Sequence, residues 1–362
     1  MIPIVLLLAG MATIGPQASR ASSPEVRETV RGDLGKEVDE ILSRLEKLGF
    51  CGIALVAKGG EVLLAKGYGA SDREKGTPVT LDTVFCLGSV TKQFTGAAIL
   101  KLESEGKLAV SDPISNYLPG VPPDKAAITV HHLLTHSSGL APDFAGDYDP
   151  VGREEYVRRA LASDLLSAPG ERYAYSNAGY SLLGAIVELR SGKSYERYVR
   201  ETLFEPAGML RTGYKIPSYG PGEVAIGYRG GERWGTVLER PMAEDGPWWA
   251  LRANGGIHTT VGDFWRWHRA LQRNSILPEE ARKRIFTPHV PEDPEGSSHY
   301  GYGWVVARTR SGKKVVTHSG GNGIFSADFR HFVDDDVAGF LASSVAEMPA
   351  NAIARIWRPV LG

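Results

Sequence analysis

The sequence predicts an α/β fold: one antiparallel sheet built from both chain ends, flanked by helices, with a mostly helical region inserted between them. Three observations predict it. Strand-like apolar runs stand at both ends of the chain, helical spacing dominates the middle, and Gly59-Gly60 marks a tight hairpin turn. At 362 residues the chain is long for one compact core, so one large or two intimately joined domains are expected. Its 41 basic and 42 acidic residues leave a formal charge of -1. That balance, without a dense Lys/Arg block, argues against a nucleic-acid partner.

The first segment differs in kind from the rest. Ile2 to Ile14 is apolar but too short for a comfortable membrane span, and it runs into Pro16 and the small residues Ala18 to Ser23. Residues 1–21 read as a secretory signal cleaved after Ala21, although no lysine or arginine precedes the apolar run. An uncleaved anchor is the alternative. The expected location is secreted or periplasmic, with no stable membrane span after cleavage. Cys51 and Cys86 sit in apolar surroundings that suit a disulfide or two buried thiols equally, and their spacing leaves the choice open.

The elements follow in order. Pro24 to Leu48 carries Val38, Ile41, Leu42, Leu45 and Leu48 at helical spacing, an amphipathic helix. "CGIALVAKGGEVLLAKGYG" reads as two strands around Gly59-Gly60. Helices are expected from Ser89 to Gly106, Arg153 to Ser163, Tyr180 to Arg190 (closed by Gly192), Ser194 to Phe204, and along "TTVGDFWRWHRALQ". Ser218 to Gly256, rich in Gly, Pro and Trp, reads as irregular and short-stranded. Strands return in "YGYGWVVART", "KKVVTHSG", "IFSADFRHF" and "VAGFLASSV", with a last helix at Asn351 to Arg358.

Chemistry concentrates at three element boundaries. Ser-x-x-Lys occurs at Ser89/Lys92, Ser104/Lys107 and Ser311/Lys314. The last lies at a solvated hairpin tip. The second lies at a helix C-terminus, where a lysine meets the negative end of the dipole. Ser89 instead follows Gly88 at the start of a helix, whose free N–H groups favour an oxyanion, and Lys92 returns to the same face one turn on. Burial there would lower the lysine pKa and make it a base. The plainer alternative is a serine cap and a snorkelling lysine.

Tyr175 and Asn177, two apart before a helix, point the same way from extended backbone. An ammonium nearby would depress the tyrosine pKa and let it relay a proton, while the amide holds a substrate carbonyl and Lys92 together. Cap and core are the plainer roles. In "VVTHSGGNG", His318 ends a strand, and Gly320-Gly321 let backbone approach a ligand closely. The strand edge would offer a second oxyanion N–H beside that of Ser89. His318 would add a hydrogen bond or, protonated as pH falls through neutrality, a positive charge for a substrate carboxylate.

Together the three motifs resemble the penicillin-recognising serine hydrolases: class C β-lactamases, D-Ala-D-Ala carboxypeptidases and related esterases. The resemblance runs from about Leu48 to Val345 and includes "ITVHHLLTHSSGL", "FEPAGMLRTGY" and "ANGGIHTT". It implies a β-lactamase/transpeptidase-like fold, with an α/β part over about 22–87 and 295–362 and a helical part over about 88–294. It further implies Ser89 as acylated nucleophile, Lys92 and Tyr175 as the proton-handling pair, and Asn177, His318 and Gly320 at the substrate. The oxyanion hole would be formed by Ser89 and Gly321. No cofactor is implied. His318 stands where the β-lactamases carry the lysine of Lys-Thr-Gly, which points to peptidase- and esterase-type relatives rather than efficient β-lactamases.

The remaining polar and aromatic clusters have ordinary explanations. His132 and His136 are four apart, but no Glu completes a zinc motif, so no metal is expected. Gly320-Gly321-Asn322-Gly323 lacks the lysine of a phosphate loop. Trp248-Trp249, Trp265 and Trp267 read as packing or groove lining, and Asp334-Asp335-Asp336 as a turn. The reading is a serine hydrolase acting through an acyl-enzyme on a small peptide, ester or β-lactam, most simply a D-amino-acid peptidase or carboxypeptidase. The alternatives are an esterase or weak β-lactamase on the same site, or a non-catalytic binder of peptidoglycan or β-lactams.

Overall fold

Two-faced burial organises the sheet in the computed structural model, which describes residues 26–273, 275–346 and 356–357. The expected signal segment, and all of the expected last helix except Ile356-Trp357, lie outside these residues. The strands of the main sheet, in chain order, are β1 (Thr29–Val30), β2 (Gly52–Lys58), β3 (Glu61–Tyr68), β4 (Val290–Pro291), β5 (Ser298–Tyr300), β6 (Val305–Arg308), β7 (Lys314–Gly321), β8 (Ser326–Phe332) and β9 (Val337–Ser343). They form one antiparallel sheet in the order β1-β3-β2-β9-β8-β7-β6-β5-β4. β2 and β9 lie side by side, Leu55 opposite Phe340, so the two chain ends meet at the sheet centre.

In β2, Ile53, Leu55 and Ala57 join the large core under the helical region, while Ala54 and Val56 join a smaller core on the other face. Both faces are buried, which is why the strand reads as a continuous apolar run. Each buried Val, Leu or Ile contributes about 1.5–3 kcal/mol. Helix α1 (Gly32–Glu46) covers the smaller core with Val38 and Leu42. It starts later than its periodicity alone predicts, because Thr29–Val30 is taken into the sheet opposite Leu64 and Ala65.

On the other face pack α2 (Lys92–Ser104), α3 (Arg153–Ala162), α4 (Asn177–Ser191) and α5 (Val261–Gln272). α4 begins three residues before the predicted start, since the Ser176 hydroxyl accepts the Gly179 N–H, and it ends at Gly192 in the left-handed region. The stretch expected as one strand, "YGYGWVVART", is split into β5 and β6 by a turn in which the Gly301 N–H donates to the Trp304 carbonyl. Residues 195–204 form a helix with a π turn rather than one regular helix. Trp249, Trp265 and Trp267 are core; the Trp267 indole donates to Gln93 Oε1 at 3.1 Å. Cys51 and Cys86 are two buried free thiols, not a disulfide. Among the described residues no helix is long and apolar enough to cross a membrane.

Candidate active site

The site forms where β7 outruns its neighbour. β6 pairs with β7 only as far as Thr317, so His318 to Gly321 are held by β8 on one side and leave the other side open. Against that open edge packs a single 3-10 turn, Gly88–Thr91, which leads straight into α2. The approach is so close that a Cβ on Gly320 would stand 2.2 Å from the Leu87 carbonyl oxygen and 2.5 Å from the Ser89 nitrogen. A Cβ on Gly88, whose φ is +50°, would stand 2.4 Å from the Gly321 nitrogen. Glycine is required at both positions so that the backbones of Ser89 and Gly321 can lie side by side. Gly320 therefore acts through its missing side chain, as the contact between strand and turn.

Lys92 is the first residue of α2 and has no exposed surface. Its Nζ lies 3.2 Å from Ser89 Oγ, 2.8 Å from Asn177 Oδ1 and 2.8 Å from the Asn254 carbonyl oxygen. Among the described residues no carboxylate pairs with it. Desolvation holds its pKa well below the ordinary lysine value, against the opposing pull of the Asp143 and Asp147 charges. A neutral amine has two N–H donors and a lone pair. The two carbonyl oxygens take the donors, and the lone pair is left for the Ser89 hydroxyl.

Asn177 is not the cap of α4, since Ser176 has that role; its side chain is free to face Lys92. Tyr175 is half-buried, with Lys92 Nζ 4.8 Å from its ring centroid. Its phenol corrects one expectation. Burial pushes its pKa up to about 12, opposed by a hydrogen bond with Ser89. The neighbouring amine favours its neutral form and so cannot depress the tyrosine. The phenol stays protonated and hydrogen-bonded.

His318 corrects another. It is 4% exposed, its Nε2 is 2.8 Å from the Tyr300 hydroxyl, and its Nδ1–H donates to the Ser319 carbonyl at 2.6 Å. Desolvation, then Lys92, push its pKa down to about 3. The ring is neutral at physiological pH and offers no charge to a carboxylate. Behind it His136, Tyr175 and Tyr300 form an aromatic cluster, with the His136 and Tyr175 centroids 4.2 Å apart. His136 Nδ1 accepts the Ser176 N–H at 3.0 Å, and His132 Nδ1 accepts the Thr129 N–H in a capping box.

The cleft over Ser89 is a cavity of about 50 Å³, lined among others by Asp147, Tyr148, Asn177, Leu251, Asn254 and Asn322. Sequence reasoning brought Ser89, Lys92, Tyr175, Asn177, His318, Gly320 and Gly321 to this place, and the structure gathers all seven. It missed Asn254 and Asp147. The "ANGGIHTT" segment entered only as part of the family resemblance, with no role for Asn254, and its backbone oxygen acts here because α4 and α2 converge on it. Asp147, in the polar loop "DFAGDYDP", carries no periodic signal. Ser104 and Ser311 are elsewhere, the one bonded to the Lys101 carbonyl and the other to Thr309.

A model of the Beta-lactamase family matches residues 38–358. Penicillin-binding protein 4* of Bacillus subtilis is 30% identical over 309 residues, 80% of this chain and 67% of that protein. Esterase EstB of Burkholderia gladioli is 36% identical over 216 residues, 53% of this chain and 54% of that one. Among solved structures, the octameric penicillin-binding protein homologue from Pyrococcus abyssi is 30% identical, with a TM-score of 0.76, 91% of this chain and 77% of that one covered. The chain spans about two thirds or less of the length of its curated relatives.

Proposed function

Because the chain belongs to the Beta-lactamase family and is a serine hydrolase with a β-lactamase/transpeptidase-like fold, we propose that it acts through an acyl-enzyme on Ser89, cleaving amide or ester bonds of small D-amino-acid peptides. The observation that carries the reading is the burial of Lys92, 3.2 Å from Ser89 Oγ and with no carboxylate partner among the described residues. Neutral Lys92 accepts the Ser89 proton as Oγ attacks the carbonyl carbon. The oxyanion lies between the Ser89 and Gly321 N–H groups. As the tetrahedral adduct collapses, the proton passes from Lys92 through the Tyr175 hydroxyl to the leaving amine or alcohol. Water then adds to the acyl-enzyme by the same relay run in reverse, releasing the acid and restoring Ser89.

An esterase reading has its own support. A carboxypeptidase must hold a terminal carboxylate, and His318 is neutral here. No lysine or arginine is among the described residues lining the cleft. The purified protein, incubated with a fluorophosphonate and separately with a penicillin, tests both readings by intact mass. A fluorophosphonate adduct in wild type and none in Ser89→Ala is expected. A persistent penicillin adduct supports the peptidase, and its absence beside a fluorophosphonate adduct supports the esterase. No adduct with either reagent would leave a non-catalytic binder.

A further inference from the structure

We propose that the cleft selects acyl groups bearing an ammonium close to the scissile carbonyl, and that Asp147 is the residue that recognises it. The inference rests on Ser89 as nucleophile and adds the charge of the substrate. Three acids lie on the loop beside the cleft: Asp149 is taken up by the loop itself, its Oδ2 accepting the Gly146 N–H at 2.8 Å, and the other two differ. Asp143 is satisfied: its Oδ1 accepts the Phe144 N–H at 2.9 Å and the Tyr156 hydroxyl at 2.5 Å. Asp147 lines the cavity with Ser89, is only partly exposed, and makes no hydrogen bond or ion pair among the described residues.

An unpaired, half-buried carboxylate is costly. Burial, then repulsion from Asp143, push the Asp147 carboxyl up, and among the described residues Lys92 is the cation acting against this. Lys92 is itself held towards its neutral form, so it does not balance the charge. The cleft thus has a net negative wall, with no arginine or lysine among the described lining residues. The adjacent Tyr148 ring, backed by Trp234 at 6.4 Å, adds an aromatic face of the kind that attracts cations. A substrate ammonium replaces the missing counter-ion. A substrate carboxylate in the same place would be repelled.

Isosteric ester pairs isolate the charge. The ethyl esters of glycine and β-alanine carry an ammonium where those of propionate and butyrate carry a methyl group. kcat/KM is measured for all four with wild type, Asp147→Asn and Asp147→Glu, alongside fluorophosphonate labelling of each protein. Wild type is expected to favour at least one ammonium ester over its isostere. Asp147→Asn should lower that ratio by about 10- to 100-fold, the range of a hydrogen bond to a charged group. Asp147→Glu should retain most of it. The ratio cancels any effect of Asp147 on Lys92, because both esters use the same base. A labelled, active wild type that prefers the methyl esters, or a preference untouched by Asp147→Asn, overturns the proposal while sparing Ser89. Loss of labelling and turnover in wild type itself would instead remove the nucleophile, and the proposal with it.

Discussion

The same Ser-x-x-Lys motif stands at both ends of α2, and the two ends have opposite fates. At the N-terminal end, Lys92 is fully buried, has no carboxylate partner among the described residues and faces Ser89. At the C-terminal end, the Ser104 hydroxyl turns back to the Lys101 carbonyl, and Lys107, 41% exposed, pairs with Glu105 at 2.9 Å. Spacing alone does not make a base. The difference comes from what a second and third segment add: Asn177 from the start of α4 and the Asn254 carbonyl from the loop before α5 accept the lysine's protons in a buried site. An exposed lysine keeps its proton because water solvates the charge. A buried one without a counter-ion gives it up.

The largest expected effect would break this contrast outright. Ser89→Ala should lower turnover by on the order of 10⁴-fold or more and abolish fluorophosphonate labelling. Retained labelling would place the nucleophile elsewhere. Next comes Lys92→Met, which keeps the volume and removes the base; the labelling rate should fall by about 10²- to 10⁴-fold. A wild-type rate in that variant would show that burial had not made Lys92 the base.

The contact between turn and strand is sharpened by Gly320→Ala. Its Cβ would meet the Leu87 carbonyl oxygen at 2.2 Å, and backbone must move to admit it. A loss of about 1–3 kcal/mol in urea unfolding is expected, together with slower acylation. Unchanged stability and rate would mean that β7 and the Ser89 turn do not need their close approach.

The pH profile tests the electrostatics. Since the lysine must be neutral to act, activity should be lost as pH falls through its depressed pKa, on a limb well below the ordinary 10.5. His318, pushed down to about 3, adds no inflection near its usual value of about 6.5. An inflection there that disappears in His318→Gln would restore the protonated role. The smallest effects belong to the other end of α2. Ser104→Ala and Lys107→Ala should change stability by less than about 0.5 kcal/mol and leave labelling unaltered.

Much of this was readable from residues in order. Apolar runs around Gly59-Gly60 gave β2 and β3, and the helical stripe of Val38 and Leu42 gave α1. "SVTK", "YSN" and "HSGG" marked the gathering place. The errors share one cause, which is that protonation states depend on neighbours brought from far along the chain. Tyr175 was expected to be depressed by an ammonium, and burial raised it. His318 was expected to titrate near neutrality, and Tyr300 from β5 and the Ser319 carbonyl hold it neutral in a buried cluster.

Local chemistry therefore determined what one stretch can carry alone: apolar strand runs, helix stripes, turn glycines and the identity of the reactive groups, all functions of spacing along a few residues. Tertiary structure decided what depends on several segments at once. It buried one Ser-x-x-Lys and exposed another, supplied the Asn254 carbonyl, and left Asp147 in the cleft with no partner among the described residues. Burial and field are properties of the assembled volume, and they set whether a lysine is a cation or a base.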